Sequence, residues 1–595
     1  MVSKGSTKPA PLPKTSPSPF GVVLLSSTGS QQTLEQDLAF IKGMGIQWIR
    51  IQPDWTRLQP EKGVMDWSLT DRTVKEARKK GLSILFTLGY TPRWASAYSD
   101  SNETDVWNKN PPRDTDTWKK YVEILSRRYG QDVAHWQVWE RTGAQFFRGS
   151  EKDVADLLRA TAQTTNKVNP KLAVALPEDG KINLSSINTV YVYGGLPDFE
   201  VLSLYPFFEK PEQMVRPLQT LENEILRERK PPKEIWFSGL GWNAHPVSGP
   251  LRDPVVSEDE QAKYLVRGMV LALSQGVSRI FWHTFRDNME GPYQSQSGSG
   301  LVRTDGSERS AALAYRNLIS LLEGKKYSRQ ALWGPHLHGY LFLEGPRSVL
   351  VAWSDRTPAK LPATQGISLG SVVDMLGNKH DSASSIDLSD SPIFIVAPES
   401  ELEKLLALRP DPPPAADPDY SGANNVSVVL GEQAEETGLY TGRYRQRESG
   451  TVKLKQCGGS YGWSTMVNEK KSSIFFEIDD TFLYFVNGHF EAEIEVDVYG
   501  NTTSRKMGFN IGYDSMKGFK FTPWQWVEPG DGWKTYTFRI HDADFSDTFS
   551  DFRINALGSE EDVCVRSVKV RKRSWRSPYW RYIRSASAFP LPPLR

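Results

Sequence analysis

From Phe20 onward the chain sets short apolar runs against amphipathic stretches, an alternation that predicts parallel strands joined by crossover helices. Phe20 to Leu25, Trp48 to Ile51, Leu82 to Leu88 and Val133 to Trp139 read as the first four strands. Leu34, Leu38, Ile41 and Met44 recur at helical spacing between the first two, and Thr70–Lys80 and Trp118–Tyr129 read as the helices that follow. The second half repeats the rhythm, with strands over Leu172–Leu176, Phe199–Leu204, Glu234–Ser238 and Arg279–His283 and helices over Glu258–Gln275 and Ala311–Leu322. Eight strand-helix units in about 300 residues is the count and size of a closed barrel. A doubly wound sheet would need a Gly-rich phosphate turn after its first strand, and none is present.

Beyond residue 325 the period changes from helical to two. Tyr340–Leu343, Ser348–Ser354, Val372–Asn378 and Pro392–Val396 alternate as half-buried strands do, and predict a small β-sandwich over 326–408. A proline-rich linker over 409–425 marks a boundary. Residues 426–573 are strand-like throughout, with runs at Ile474–Ile478, Phe482–Val486, Glu491–Val498, Met507–Tyr513, Trp533–Ile540, Asp551–Asn555 and Val565–Val570, and a turn at Asn487-Gly488; they predict a second, jelly-roll β-sandwich. The fold class expected is therefore α/β plus all-β: a (β/α)8 TIM barrel, a small β-sandwich and a C-terminal jelly roll. Residues 1–19, rich in Ser, Pro and Lys, read as a disordered leader, and 574–595 as a basic, aromatic tail that is solvated or loosely docked.

Composition narrows the chemistry. Seventy-two lysines and arginines balance 71 aspartates and glutamates, so no global field draws the chain to nucleic acid or to an anionic membrane. Nineteen tryptophans suit stacking on sugar faces, although core packing is the ordinary use of most such rings. Cys457 and Cys564 are too few for a disulfide scaffold or a thiolate metal site, and the sequence leaves open whether they pair or are only buried. No apolar run reaches the roughly 20 residues of a membrane helix, and the N-terminus has no apolar signal core. His336 and His338 share one strand-like stretch with no neighbouring Cys or Glu ligand, so no metal site is expected. No Gly-x-Ser-x-Gly elbow and no phosphate loop occurs, and no cofactor is expected.

A family resemblance follows from the motifs. Trp48-Ile-Arg-Ile-Gln-Pro-Asp-Trp55, Pro60-Glu-Lys-Gly-Val-Met-Asp-Trp67 and Thr87-Leu-Gly-Tyr-Thr-Pro-Arg-Trp-Ala95 resemble the second and third strand ends of the retaining glycoside hydrolase clan that holds the β-xylosidase and cellulase barrels. Asn110-Pro-Pro-Arg-Asp114, Arg128-Tyr-Gly130, Gly300-Leu-Val302, Asp305-Gly306 and Ala314-Tyr315 continue the match in order across residues 20 to 325. Gly530–Phe538 with Asp551–Ile554 is similar to jelly-roll modules of the carbohydrate-binding type.

The resemblance implies an acid/base glutamate after an asparagine at the end of strand four, and a nucleophilic glutamate at the end of strand seven, about 5 Å apart. Here Trp139-Glu140-Arg141-Thr142 puts Glu140 in the asparagine position and Arg141 in the acid/base position. Phe237-Ser238-Gly239-Leu240 puts Gly239 where the nucleophile belongs, and Tyr205 replaces a histidine common before Pro206. Arginine stays protonated and cannot shuttle a proton near neutrality, and glycine has nothing to attack with. The resemblance still implies sugar-binding roles for Arg50, Trp55, Trp94, Trp139, Glu140, Tyr205, Trp242 and Trp282 at strand ends; for several of the rings, packing the barrel is the rival role. Arg141 is expected to pair with Glu140 or Glu178, or to grip a uronate.

Three readings stand. One is a catalytically inactive glycosidase-like protein that binds or scaffolds an extracellular or cell-surface polysaccharide or oligosaccharide. Another is an active glycosidase with moved carboxylates, drawn from Glu140 with Asp54, Glu178, Asp179 or Asp287. The third is an assembly protein that uses the barrel to hold other protein subunits.

Overall fold

The computed structural model describes residues 15–572 apart from short gaps and the longer segments 179–200, 222–233, 245–254, 288–297, 409–417 and 442–451. Asp179, the Asn487-Gly488 turn, most of the leader, much of the proline-rich linker and the tail from 573 lie outside the described residues. Two compact units are present, 1–416 and 417–595.

The first unit is a closed parallel barrel of eight strands in sequence order. They are β1 (Phe20–Val23), β2 (Trp48–Ile51), β3 (Ser83–Leu88), β4 (His135–Val138), β5 (Ala173–Ala175), β6 (Val201–Leu204), β7 (Glu234–Leu240) and β8 (Arg279–Trp282). β1 pairs with both β2 and β8, which closes the ring. Nearly every strand residue is buried, as expected of strands wrapped outside by helices and filled inside by side chains. The helices start where the sequence supplies caps: Asp114 accepts from the Thr117 amide at 2.6 Å, and Ser150 with Asp153 and Ser257 with Glu260 form reciprocal capping boxes. Each such cap contributes about 1 kcal/mol.

The N-terminal end of the barrel is filled by Trp48, Trp236 and Phe281, with ring centroids 5.2 to 6.3 Å apart. Contrary to the expected disorder of the whole leader, residues 15–19 are ordered there. The Trp48 indole N–H donates to the Ser16 carbonyl at 3.1 Å and Ser16 N–H to Ser83 Oγ at 2.8 Å, so the leader's end supplies polar partners that the barrel floor would otherwise lack.

His135 lies against Trp48 and Trp236, 5.4 and 4.7 Å between ring centroids, and burial pushes its imidazole down to about 4. The unfolded chain takes this proton near 6.5 whereas the folded chain refuses it until about 4. Stability is therefore full above pH 6.5 and falls on acidification toward pH 4, by up to about 3 kcal/mol from this ring. His135→Phe is expected to flatten the fall of Tm between pH 7 and 4 relative to the parent chain; parallel profiles would refute this.

A six-stranded antiparallel sheet follows the barrel, in the order Lys379–His380, Ser371–Asp374, Ile393–Ala397, Ser348–Ser354, Leu337–Leu343, Lys326–Gln330, with a two-stranded sheet of Ala359–Leu361 and Ile386–Leu388. The central strands are buried on both faces and not half-buried as the alternation suggested. Tyr340, Phe342, Val349, Val351 and Trp353 join the barrel's core, whereas Leu341, Leu350 and Ala352 form a second core with Leu402 and Leu405. Those leucines belong to the helix Glu399–Leu406, which period-two reading missed.

The second unit has two antiparallel sheets around one core that includes Val428, Phe476, Ile494, Phe509, Phe552 and Val568. Most expected strands are present. Phe482 and Leu483, however, stand in a turn, and the rest of the run expected there lies outside the described residues. Cys457 and Cys564 are joined in a disulfide between the strands Lys453–Cys457 and Cys564–Lys572. Among the described residues no helix is long and apolar enough to cross a membrane.

Candidate functional site

At the carboxyl end of β4 the chain leaves the strand through Trp139, whose φ of 62° is a left-handed conformation that costs an L-residue roughly 1–2 kcal/mol. The buried Gln137 amide clamps this turn by donating to the carbonyls of Trp139 and Glu140, both at 3.0 Å. Glu140 and Arg141 follow. The Glu178 N–H donates to the Glu140 carbonyl at 3.0 Å, so the chain beyond β5 runs beside Arg141 and delivers Glu178 to it.

Glu178 is fully buried between two guanidinium groups. Arg50, from β2, donates to Glu178 Oε1, to Thr87 Oγ1 on β3 at 2.8 Å and to the Ser238 carbonyl on β7 at 3.0 Å, thereby tying four strand ends together. Arg141 Nε stands 3.7 Å from Glu178 Oε2. Burial pushes the Glu178 carboxyl above the usual carboxylate range, although the charges of Arg50 and Arg141 pull it back in part. Of the two partners expected for Arg141, Glu178 is therefore one that the fold provides. Glu140 is close enough to act on Glu178 as well, and its charge pushes the carboxyl further up.

The Arg141 guanidinium is sandwiched between the rings of Phe146 and Tyr205, 4.5 and 4.2 Å from their centroids. In a desolvated site such cation–π contacts are worth up to about 2 kcal/mol each. Tyr205 in turn packs on His283, 5.1 Å away, whose imidazole is held well below 6.5 by burial and by the charges of Arg50 and Arg141, and so is neutral. A Cβ added at Gly239 would lie 2.9 Å from the Tyr205 ring. A side chain at 239 would thus project against an aromatic ring.

The remaining expected residues divide by exposure. Trp55, Trp139, Trp242 and Trp282 are buried. Each indole N–H is taken within the protein, by Gln59 Oε1 at 3.0 Å and by the carbonyls of Phe146, Phe208 and Ser299 at 2.9, 2.7 and 3.1 Å. Trp55 stacks on Tyr121 at 4.2 Å, the packing role. Trp94 and Glu140 are half-buried at the rim, where the Tyr90 hydroxyl donates to Glu140 Oε2 at 2.6 Å. Tyr90, Phe146, His283, Thr87 and Ser238 were not singled out from sequence; Tyr90 and Ser238 lie inside motifs read there, whereas the contacts of Phe146 and His283 have no signal along the chain.

Two of the carboxylates proposed as substitutes, Asp54 and Asp287, are engaged elsewhere. Asp54 caps a helical turn by accepting from the Thr56 N–H at 2.9 Å and hydroxyl at 2.8 Å, and burial raises its pKa. Asp287 accepts from the Gly298 and Gly300 amides at 2.9 and 2.8 Å and pairs with Arg309 at 2.7 Å.

Contrary to the expectation that His336 and His338 have no neighbouring Cys or Glu ligand, the fold brings Asp355 to both and Glu212 to His338. Glu212, His338 and Asp355 place one ligand atom each within 4.8 Å of the others. Both Glu212 oxygens nevertheless face Arg267, and Trp353 donates to one of them at 3.0 Å. Asp355 is paired with both histidines; although burial pushes its carboxyl up, they hold it down at about 2. An adjacent arginine disfavours a cation at this cluster, which joins the barrel to the small sheet.

Comparison with known proteins places this geometry. A family model described as beta-galactosidase matches residues 26–137. A family 39 glycoside hydrolase from Bacteroides cellulosilyticus is similar in structure at 19% identity and TM-score 0.53, over 65% of this chain and 83% of that one. A family 39 β-xylosidase from Caulobacter crescentus is similar at 17% identity and TM-score 0.47, over 64% and 96%. No curated protein sequence matches the chain. The closed eight-stranded ring is a (β/α)8 barrel, similar in fold to that of the family 39 glycoside hydrolase from Bacteroides cellulosilyticus.

Proposed function

We propose that this chain is a non-hydrolytic, glycosidase-like protein that binds or scaffolds a polysaccharide outside the cell. The observation that carries the reading is the filled catalytic centre: Arg141 at the proton-shuttle position, Gly239 at the nucleophile position, and the Tyr205 ring 2.9 Å from where a side chain at 239 would begin. Double displacement needs two carboxyl groups about 5 Å apart with the sugar between them. Here the two carboxylates of the centre are both engaged, Glu178 by Arg50 and Arg141 and Glu140 by the Tyr90 hydroxyl, and among the described residues Asp54 and Asp287 are committed to other partners. The disulfide of the second unit suits an oxidising compartment and supports an extracellular location.

A hydrolysis screen run beside a glycan-binding array tests this. Aryl glycosides and polysaccharides are expected to release no sugar above buffer, while at least one polysaccharide is retained. Reproducible sugar release, or a glycosyl adduct in the intact mass, would overturn the proposal. A second reading, the barrel as a scaffold for protein subunits, is favoured by the same filled centre. Glycan retention separates the two, because a pure assembly role predicts none.

A further inference from the structure

The outer faces of the two sheets in the second unit differ in kind. On the larger sheet, cross-strand ion pairs cover the surface: Arg539 with Glu493, Arg571 with Glu495 and Arg566 with Asp497. On the other, the strand Gly508–Ser515 sends Phe509, Ile511 and Tyr513 into the core and sets Gly508, Asn510 and Gly512 on the outside. A Cβ at Gly512 would come within 2.8 Å of both the Phe519 and Phe521 rings, and one at Gly508 within 2.9 Å of Trp526 and closer still to Trp524. Glycine at both positions lets the Phe519/Phe521 and Trp524/Trp526 pairs, each packed edge to face, come close against the strand. Yet Phe519, Phe521 and Trp526 remain 47%, 48% and 54% exposed, so much of their surface is open beside the Arg553 guanidinium, which lies 4.9 and 5.5 Å from the two phenylalanine centroids.

We propose that this face is a binding groove for an oligosaccharide stretch of a polysaccharide, with the Phe519/Phe521 and Trp524/Trp526 pairs stacking on sugar faces and Asn510 bonding hydroxyls between them. This deepens, and rests on, the glycan-binding part of the proposed function. The two pairs sit over positions four residues apart, roughly 13 Å along an antiparallel strand, a length that takes several linked sugar rings and not one. Asn510 lies between them, its oxygen accepting from Asn555 at 2.8 Å and its amide donating to the Thr522 carbonyl at 3.2 Å, so its orientation is fixed. Among the described residues one of its two N–H groups is used.

A protein partner fits this face less well. Three rings about half exposed offer roughly 300 Å² of apolar surface, against about 800 Å² per side for a stable protein interface. Stacking on sugar needs only the rings themselves.

The test uses the full chain in affinity electrophoresis and titration calorimetry with xylan, mixed-linkage β-glucan, galactan and alginate, and then with oligosaccharides of whichever is bound. Phe521→Ala with Trp526→Ala is expected to weaken retention at least tenfold at unchanged Tm. Gly512→Val, which displaces the rings without deleting them, is expected to weaken it several-fold, and Arg539→Ala on the other sheet to leave it unaltered. Should the parent chain bind and the double variant bind equally well, the groove is wrong while the glycan-binding reading survives. Should the parent chain bind none of the panel, both fall. A double variant that changes sedimentation but not glycan retention would identify the face as a protein interface and overturn the proposal.

Discussion

Replacing Glu178 by glutamine is expected to lower the unfolding free energy by about 3–5 kcal/mol, the cost of leaving buried charge without its counterion. Arg50 and Glu178 have side chains 5% and 0% exposed, and Arg141 is 9% exposed, so water cannot take over the lost interaction. Arg50 also anchors Thr87 and Ser238, so its displacement would loosen the ends of β3 and β7 as well. Urea unfolding gives the measurement, read as a fall in midpoint at constant slope. The double change Arg50→Met with Glu178→Met should recover part of the loss, because it removes one charge of each sign. A midpoint for Glu178→Gln within error of the parent would mean that the pair contributes little to the fold.

The second large effect concerns Gly239. Gly239→Glu is expected to destabilise by about 1–3 kcal/mol through overpacking against Tyr205, and to yield no hydrolysis, since the acid/base position stays arginine. Tyr205→Ala alone removes a ring that stacks on Arg141 and His283, and should also destabilise. In the double variant the new side chain takes the vacated space, so the two losses should fall short of additive by about 1 kcal/mol or more. Strict additivity in a double-mutant cycle would show that Tyr205 does not fill the nucleophile's place.

The barrel was legible in the sequence because its strands are buried runs punctuated by amphipathic helices, and such runs are dictated by what surrounds them on every side. Arg279–Trp282 and Trp48–Ile51 fall within their expected positions. That Arg141 and Gly239 stand where the resemblance puts two glutamates was legible too, since each is a fact of a single position. What surrounds those two positions was not. That Tyr205 lies over Gly239, 34 residues away, and that Glu178 is shared between Arg50 and Arg141, follow from barrel closure and have no periodic trace. For the same reason His338 looked isolated until the chain beyond β6 brought Glu212 to it. Burial also reassigned the tryptophans: a ring at a strand end looks the same in sequence whether it faces a sugar or, like Trp55, a tyrosine.

The six-stranded sheet shares its inner face with the barrel, through Tyr340, Phe342, Val351 and Trp353. A chain severed after Leu322 would therefore shed half of a common wall and not a detachable appendage. Cut there, the barrel would present those partners' imprint as a sticky apolar surface and precipitate. A substitution on either side of that wall therefore has to be accommodated by the other.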